Sequence, residues 1–204
     1  MPDIEGFRRL ARSLATLDAV LSPEWQYRYY SFNSIWDDGE MMASMRDGSG
    51  DNWFALLSPH GIALHGLVHE APMFRPEHPW PGIFDSVPPQ FSDFVKEPAF
   101  DSKNTSFCIW RTVNSGHWER GALDYAPGSD PDGSERLLAI FDADPEAYAG
   151  WAETYYEVKV DRASVEAIYQ HSQLSEELVR SLNPDLAPGD LREDMREIGY
   201  PEAG

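Results

Sequence analysis

The residues that could do chemistry are led by a histidine group, His60, His65, His69 and His78, with Glu70 beside the third. On a helix, His65 and His69 would point to one side at i,i+4 and suit zinc. The surrounding Gly61–Val68 reads instead as a strand. There the two rings would share a face but lie ~13 Å apart, too far to chelate one ion. His69-Glu70 also lacks the second histidine of a His-Glu-x-x-His helix. Ordinary hydrogen-bonded or solvent-facing histidines are expected, and no metal.

Other chemistries fail on spacing or context. Cys108 lies inside Phe107-Cys108-Ile109-Trp110 and reads as a small buried hydrophobe rather than a nucleophile. Gly48-Ser49-Gly50 is a hairpin turn, not a nucleophile elbow. Asp47–Asp51 begins like a calcium loop, but Asn52 and Ser58 stand where Gly and a bidentate Glu are needed. Asp130–Ser134 fails in the same way, with Glu135 and Phe141 at those positions. Neither phosphate-binding glycine signature is present. No catalytic residue is named, and no cofactor is expected.

What remains points to binding. The chain has 35 acidic residues against 16 basic ones, a net charge of −19 over 204 residues, with seven Trp and nine Tyr. Such a charge disfavours nucleic acid and anionic membranes as partners and favours a basic protein. Trp36 sits in a loop beside Asp37-Asp38-Gly39-Glu40, and Trp80 within a proline-rich stretch. Tryptophan is enriched among interface anchors, and acidic loops around one suit a basic partner. The candidate binding residues are Trp36, Asp37, Asp38, Glu40, Arg46, Asp47, His69, Glu70 and Trp80. Trp25, Trp53, Trp110, Trp118 and Trp151 are read as core. The leading expectation is a non-catalytic acidic cytoplasmic binding protein that recognises a basic protein partner. The alternative is a hydrolase-like enzyme whose site is assembled from loops 34–51 and 69–82.

Composition bounds the rest. An aromatic content of 13% is enough for a core, so the acidity is not that of a disordered tail. The longest apolar runs, such as Leu137–Phe141, fall short of a membrane span. Met1–Glu5 has no basic region leading into an apolar run, so no signal peptide is expected. A single Cys excludes an intramolecular disulfide. Together these favour the cytoplasm. An excess of Arg over Lys suggests a GC-rich bacterial source. Residues 1–118 carry 15 acids and 9 bases, whereas residues 119–204 carry 20 and 7, which makes the C-terminal part the more acidic.

Elements to position these residues follow from periodicity. Ile4, Phe7, Leu10, Leu14, Leu17 and Leu21 mark an N-terminal helix over 4–21, capped by Asp3 and stopped by Pro23. Residues 25–69 read as a four-stranded antiparallel meander. Residues 71–90 hold six of the 16 prolines and read as an irregular surface loop, with a short helix from Pro88 to Lys96. Further strands are expected near 105–112, 135–141 and 154–160. Helices are expected from Asp144-Pro145, after Asp161, over 175–182 and over 190–198, the last two in a short helical segment 172–204. Strands early and helices late predict one α+β domain with an antiparallel sheet.

The runs Tyr29–Ser34 and Met42–Gly48, with Trp80-Pro81-Gly82 and Phe107–Arg111, resemble an uncharacterised family of bacterial proteins that has no established activity. More loosely, in composition, the chain is similar to immunity proteins of the SMI1/KNR4-like group. The Leu-Pro and Asn-Gly-Gly marks of that group are missing; Val87-Pro88-Pro89-Gln90-Phe91 is a faint echo. Nothing catalytic carries over from the uncharacterised family.

Overall fold

The computed structural model describes residues 1–142 and 144–201. Its frame is a six-stranded antiparallel sheet in sequence order: β1 (Tyr30–Asp37), β2 (Glu40–Arg46), β3 (Asn52–Ser58), β4 (Gly61–Leu67), β5 (Phe107–Thr112) and β6 (Glu119–Arg120). With seven α-helices among the described residues, this is the mixed α+β architecture that the pattern of elements predicts. The first hairpin closes tightly, with Asp37 opposite Glu40 across Asp38-Gly39, and Gly39 takes the positive φ this turn requires.

Alternation divides the sheet into two faces, both covered. Tyr30, Phe32, Ala43, Met45, Trp53, Ala55, Ile62, Leu64, Phe107 and Ile109 lie on the first. The helix α1 (Ile4–Leu21) packs there, capped at its start by the Asp3 side chain and ending before Pro23. Its Phe7, Leu14 and Leu17 are fully buried, as their spacing predicts. The helices α4 (Pro145–Tyr156), α5 (Arg162–Tyr169), α6 (Glu176–Leu182) and α7 (Arg192–Ile198) contribute to the same core. Residues 202–204 of the expected C-terminal segment lie outside the described residues. Met42, Leu56, Ala63, Cys108 and Trp110 form the second face, against Ile83, Phe91, Phe94 and Phe100. The expected surface loop therefore buries part of its own length. Its helix is a short 3₁₀ turn at Pro89–Phe91 leading into α2 (Ser92–Lys96).

Three expected strand segments are not strands. Residues 25–28 do not pair because β2 ends at Arg46, so nothing is left opposite them; Trp25–Tyr27 is a 3₁₀ turn. Its neighbour Arg28 is tied to Ser22 O, Pro23 O and Asp194. Residues 135–141 are helical, forming α3 (Ser134–Leu137) and a 3₁₀ turn over Ala139–Asp142. The Asp132 and Asp130 carboxylates accept from the backbone N–H groups of Ser134, Glu135 and Arg136 and so open a helix there. Gly133 precedes it with φ 78°, pressed so closely on Val68 that a Cβ would lie 2.5 Å from that side chain. Residues 154–156 continue α4, because Tyr148, Trp151, Ala152, Tyr155 and Tyr156 recur at helical spacing and meet Tyr29 and Tyr30. Of the tryptophans expected in the core, Trp53 and Trp110 are buried but Trp25 is 54% exposed.

One buried charge joins these layers. Asp18 has no solvent exposure. It accepts from the backbone N–H groups of Tyr29 (2.9 Å) and Tyr30 (2.6 Å) and from the Tyr148 hydroxyl (2.8 Å). Burial raises its carboxyl to about 6, against the lowering effect of these hydrogen bonds. Because the folded value lies above the unfolded one, the folded chain binds the extra proton between about pH 4 and pH 6. Stability due to Asp18 is therefore full below that window and lost as pH rises through it. Relative to Asp18→Asn, the native chain should gain about 3 kcal/mol on acidification across the window, read by urea unfolding at each pH. A pH-independent difference would overturn this. Leu14→Ala should cost about 2–5 kcal/mol and lower the melting temperature; an unchanged value would mean α1 is not packed on the sheet.

Candidate functional site

The structure distributes the candidate residues among separate clefts. The first forms where the β1–β2 hairpin tip meets α2. A register shift between Asn33 and Asp37 breaks the pairing, and the Asn33 side chain accepts from Ile35 N. This bulge leaves Ile35 67% and Trp36 43% exposed. Trp36, Phe94, Phe100 and Leu56 wall a cleft of about 380 Å³, and Asp37, Asp38, Glu40, Asp93 and Glu97 line it, with no Lys or Arg among the described residues there. Burial, and then the neighbouring carboxylates of Asp37 and Asp93, push the Glu40 carboxyl above its usual range. Asp93 and Glu97 are additions that the sequence reading missed. Their place at i,i+4 about a short helix was visible, but not that this helix would dock beside the hairpin.

A second cavity, of about 180 Å³, adjoins the first and shares Trp36 and Phe100 with it. Arg46 belongs here rather than with Asp47. Its guanidinium lies over the rings of Trp25 (5.0 Å) and Phe54 (5.9 Å).

Asp47, His69 and Glu70 come together in a third, open cleft of about 630 Å³, with Ser49, Asp51, Asp130 and Arg136. Asp47 Oδ1 accepts from the N–H groups of Ser49, Gly50 and Asp51, which makes its loop a capped turn. Asp51, 4% exposed, accepts from His69 N (2.9 Å), His69 Nδ1 (2.7 Å) and Arg136 (2.5 Å). Burial pushes the Asp51 carboxyl up, but these hydrogen bonds outweigh it and hold the group below its usual range. An ionised Asp51 can only accept, so His69 Nδ1 carries the proton and Nε2 keeps its lone pair in the neutral ring. The Asp51 hydrogen bond raises the His69 pKa. Asp51 and Arg136 were also missed, because the Asp–His–Arg link joins residues 18 and 85 positions apart.

Trp80 lines neither the acidic nor the histidine cleft; it stacks with Arg75 at 4.2 Å and donates to Asp124 O. The histidines do not assemble. β4 ends at Leu67, so His69 lies beyond the strand that was expected to carry it with His65. His65 is buried on the second face against Phe94, near the hydroxyls of Thr105 and Ser102, and burial lowers it to about 4. No group of three or more His, Cys, Asp or Glu suited to a metal ion occurs among the described residues. Cys108 is buried and its thiol is pushed up to about 12. No helix among the described residues is long and apolar enough to cross a membrane.

No family model matches the chain, and searches of curated proteins and of solved structures return no match either. The family resemblance therefore rests on the sequence runs alone.

Asp51→Asn should return the His69 pKa toward that of a free histidine, measured by NMR titration of its ring protons. An unchanged titration would show that Asp51 does not hold the imidazole.

Proposed function

We propose that this is a non-catalytic, cytoplasmic bacterial binding protein of the immunity type, whose acidic cleft receives a basic segment of a protein partner. One observation carries the reading: five carboxylates, with no cation among them, line a cleft beside the exposed indole of Trp36. Like charges brought together without a counter-charge destabilise the free protein, and an incoming Lys or Arg relieves that repulsion. The indole adds a cation–π face for the same side chain. A net charge of −19 extends the attraction and speeds encounter.

The test is titration calorimetry with a lysine-rich peptide at low and physiological salt. Affinity should fall about tenfold or more with salt, because screening weakens charge-steered association. Glu40→Gln/Asp93→Asn/Glu97→Gln should abolish measurable binding. Glu177→Gln/Asp185→Asn/Glu193→Gln, which removes the same charge from exposed positions elsewhere, should leave it nearly intact. Equal losses in the two variants would reduce the effect to overall charge and sink the cleft as a site.

A second reading, a hydrolase-like enzyme, is favoured by the His69–Asp51 pair. A buried carboxylate fixing one imidazole nitrogen leaves the other available as a general base for water. Turnover of a neutral or cationic ester or amide, lost in His69→Gln, would support it. A panel of such substrates giving no turnover above the His69→Gln background would remove it.

A further inference from the structure

The cavity beside the acidic cleft differs from it in chemistry. Trp25, Trp36, Phe54, Phe100 and Met42 wall it, and Ser31, Asn33 and Ser44 give it neutral polar edges. Among the described residues, Arg46 is the one cation lining it. Arginines lining other clefts are each engaged by a carboxylate: Arg28 by Asp194, Arg120 by Asp132 and Arg136 by Asp51. Arg46 forms no ion pair among the described residues, in a protein with 35 acidic side chains. Glu197 also lines the cavity, yet no ion pair joins it to Arg46 among the described residues. Held against Trp25 and Phe54, the guanidinium keeps its N–H donors free for a planar, bidentate acceptor. Apolar cavities of about 150 Å³ admit a benzene ring, so about 180 Å³ accommodates an aromatic side chain.

We infer that this cavity receives an aromatic side chain flanked by a carboxylate, carried on the same partner segment whose basic residues enter the acidic cleft. The inference rests on that reading for the identity of the partner. Trp36 and Phe100 belong to both spaces, so one segment crossing the Trp36 ridge reaches both. The combination also explains how a carboxylate approaches so acidic a surface: the neighbouring cationic residues of the segment offset the repulsion. Two half-exposed Trp residues and an Arg are the residue types that dominate interface energetics.

Three peptides test this against the native chain, Arg46→Gln and the Glu40→Gln/Asp93→Asn/Glu97→Gln variant. They are an oligolysine, the same peptide ending in Gly-Gly-Trp-Glu-Gly, and that extension with Gln for Glu, all amidated at the C-terminus. On the native chain, the Trp-Glu peptide should bind about tenfold tighter than the Trp-Gln peptide, and this gap should close in Arg46→Gln. Trp25→Ala, at an exposed position, should weaken both Trp peptides and leave oligolysine binding unchanged. A gap that persists in Arg46→Gln, or Trp peptides no tighter than oligolysine, would overturn the cavity inference and leave the acidic cleft standing. Oligolysine binding unaffected by the triple variant, with the Arg46-dependent gap intact, would overturn the cleft alone. Circular dichroism and melting temperature confirm that each variant is folded.

Discussion

A carboxylate with no contact to water must be surrounded by donors, and Asp18 takes them from the chain just before β1 and from α4. Leaving those donors without an acceptor would cost several kcal/mol, so three elements are fixed to one point. That point sets where β1 begins: Tyr30, held by Asp18, is also the first residue paired with β2, opposite Met45. From there the register carries to the bulge between Asn33 and Asp37 and to the hairpin tip that presents Trp36. The same joint gathers the aromatic group of Tyr29, Tyr30, Tyr148 and Trp151. An ionised Asp18 is retained at some cost in stability near neutral pH, and in return the helical layer and the sheet have one relative placement.

The two faces of the sheet are covered by different means, and this decides where surface remains open. Helices cover the first face continuously. The second is covered by the proline-rich segment and α2, whose Ile83, Phe91, Phe94 and Phe100 reach Cys108, Trp110, Ala63 and Leu56. Proline-rich chain cannot form a regular layer, because it lacks N–H donors and has fixed φ angles. The cover gives out at Phe100, and the β1–β2 end of the face stays open between Trp25 and Trp36. The acidic cleft and the Arg46 cavity both lie along that margin.

The His69 cleft answers to a different constraint. Asp51, His69 and Arg136 tie the β2–β3 turn, the exit of β4 and the start of α3 together, and the opening of α3 itself depends on Asp130 and Asp132. A buried acceptor with three donors is a sound structural fastening. It also fixes which nitrogen of the His69 imidazole carries the proton.

What the sequence determined by itself is local and periodic. The α1 stripe, the caps at Asp3 and Asp161, the helix opened at Asp144-Pro145 and the buried character of Cys108 follow from chemistry within a few residues. The acidic run Asp37-Asp38-Gly39-Glu40 was legible for the same reason, although Trp36 beside it, expected in a loop, lies at the end of β1. Tertiary structure decided the rest. Leu137-Leu138-Ala139-Ile140-Phe141 is an apolar run too short for its period to separate strand from helix, and carboxylates already spent on Ser134, Glu135 and Arg136 settled it as helix. Tyr155 and Tyr156 have strand propensity, but packing against Tyr29 and Trp151 kept them in α4. Arg46 and Asp47 are neighbours in sequence yet line different clefts, because β2 ends at Arg46 and Asp47 turns away to cap the loop that follows. Asp93, Glu97, Asp51 and Arg136 became site residues only when distant segments met, and no local period records a pairing between residues 85 apart.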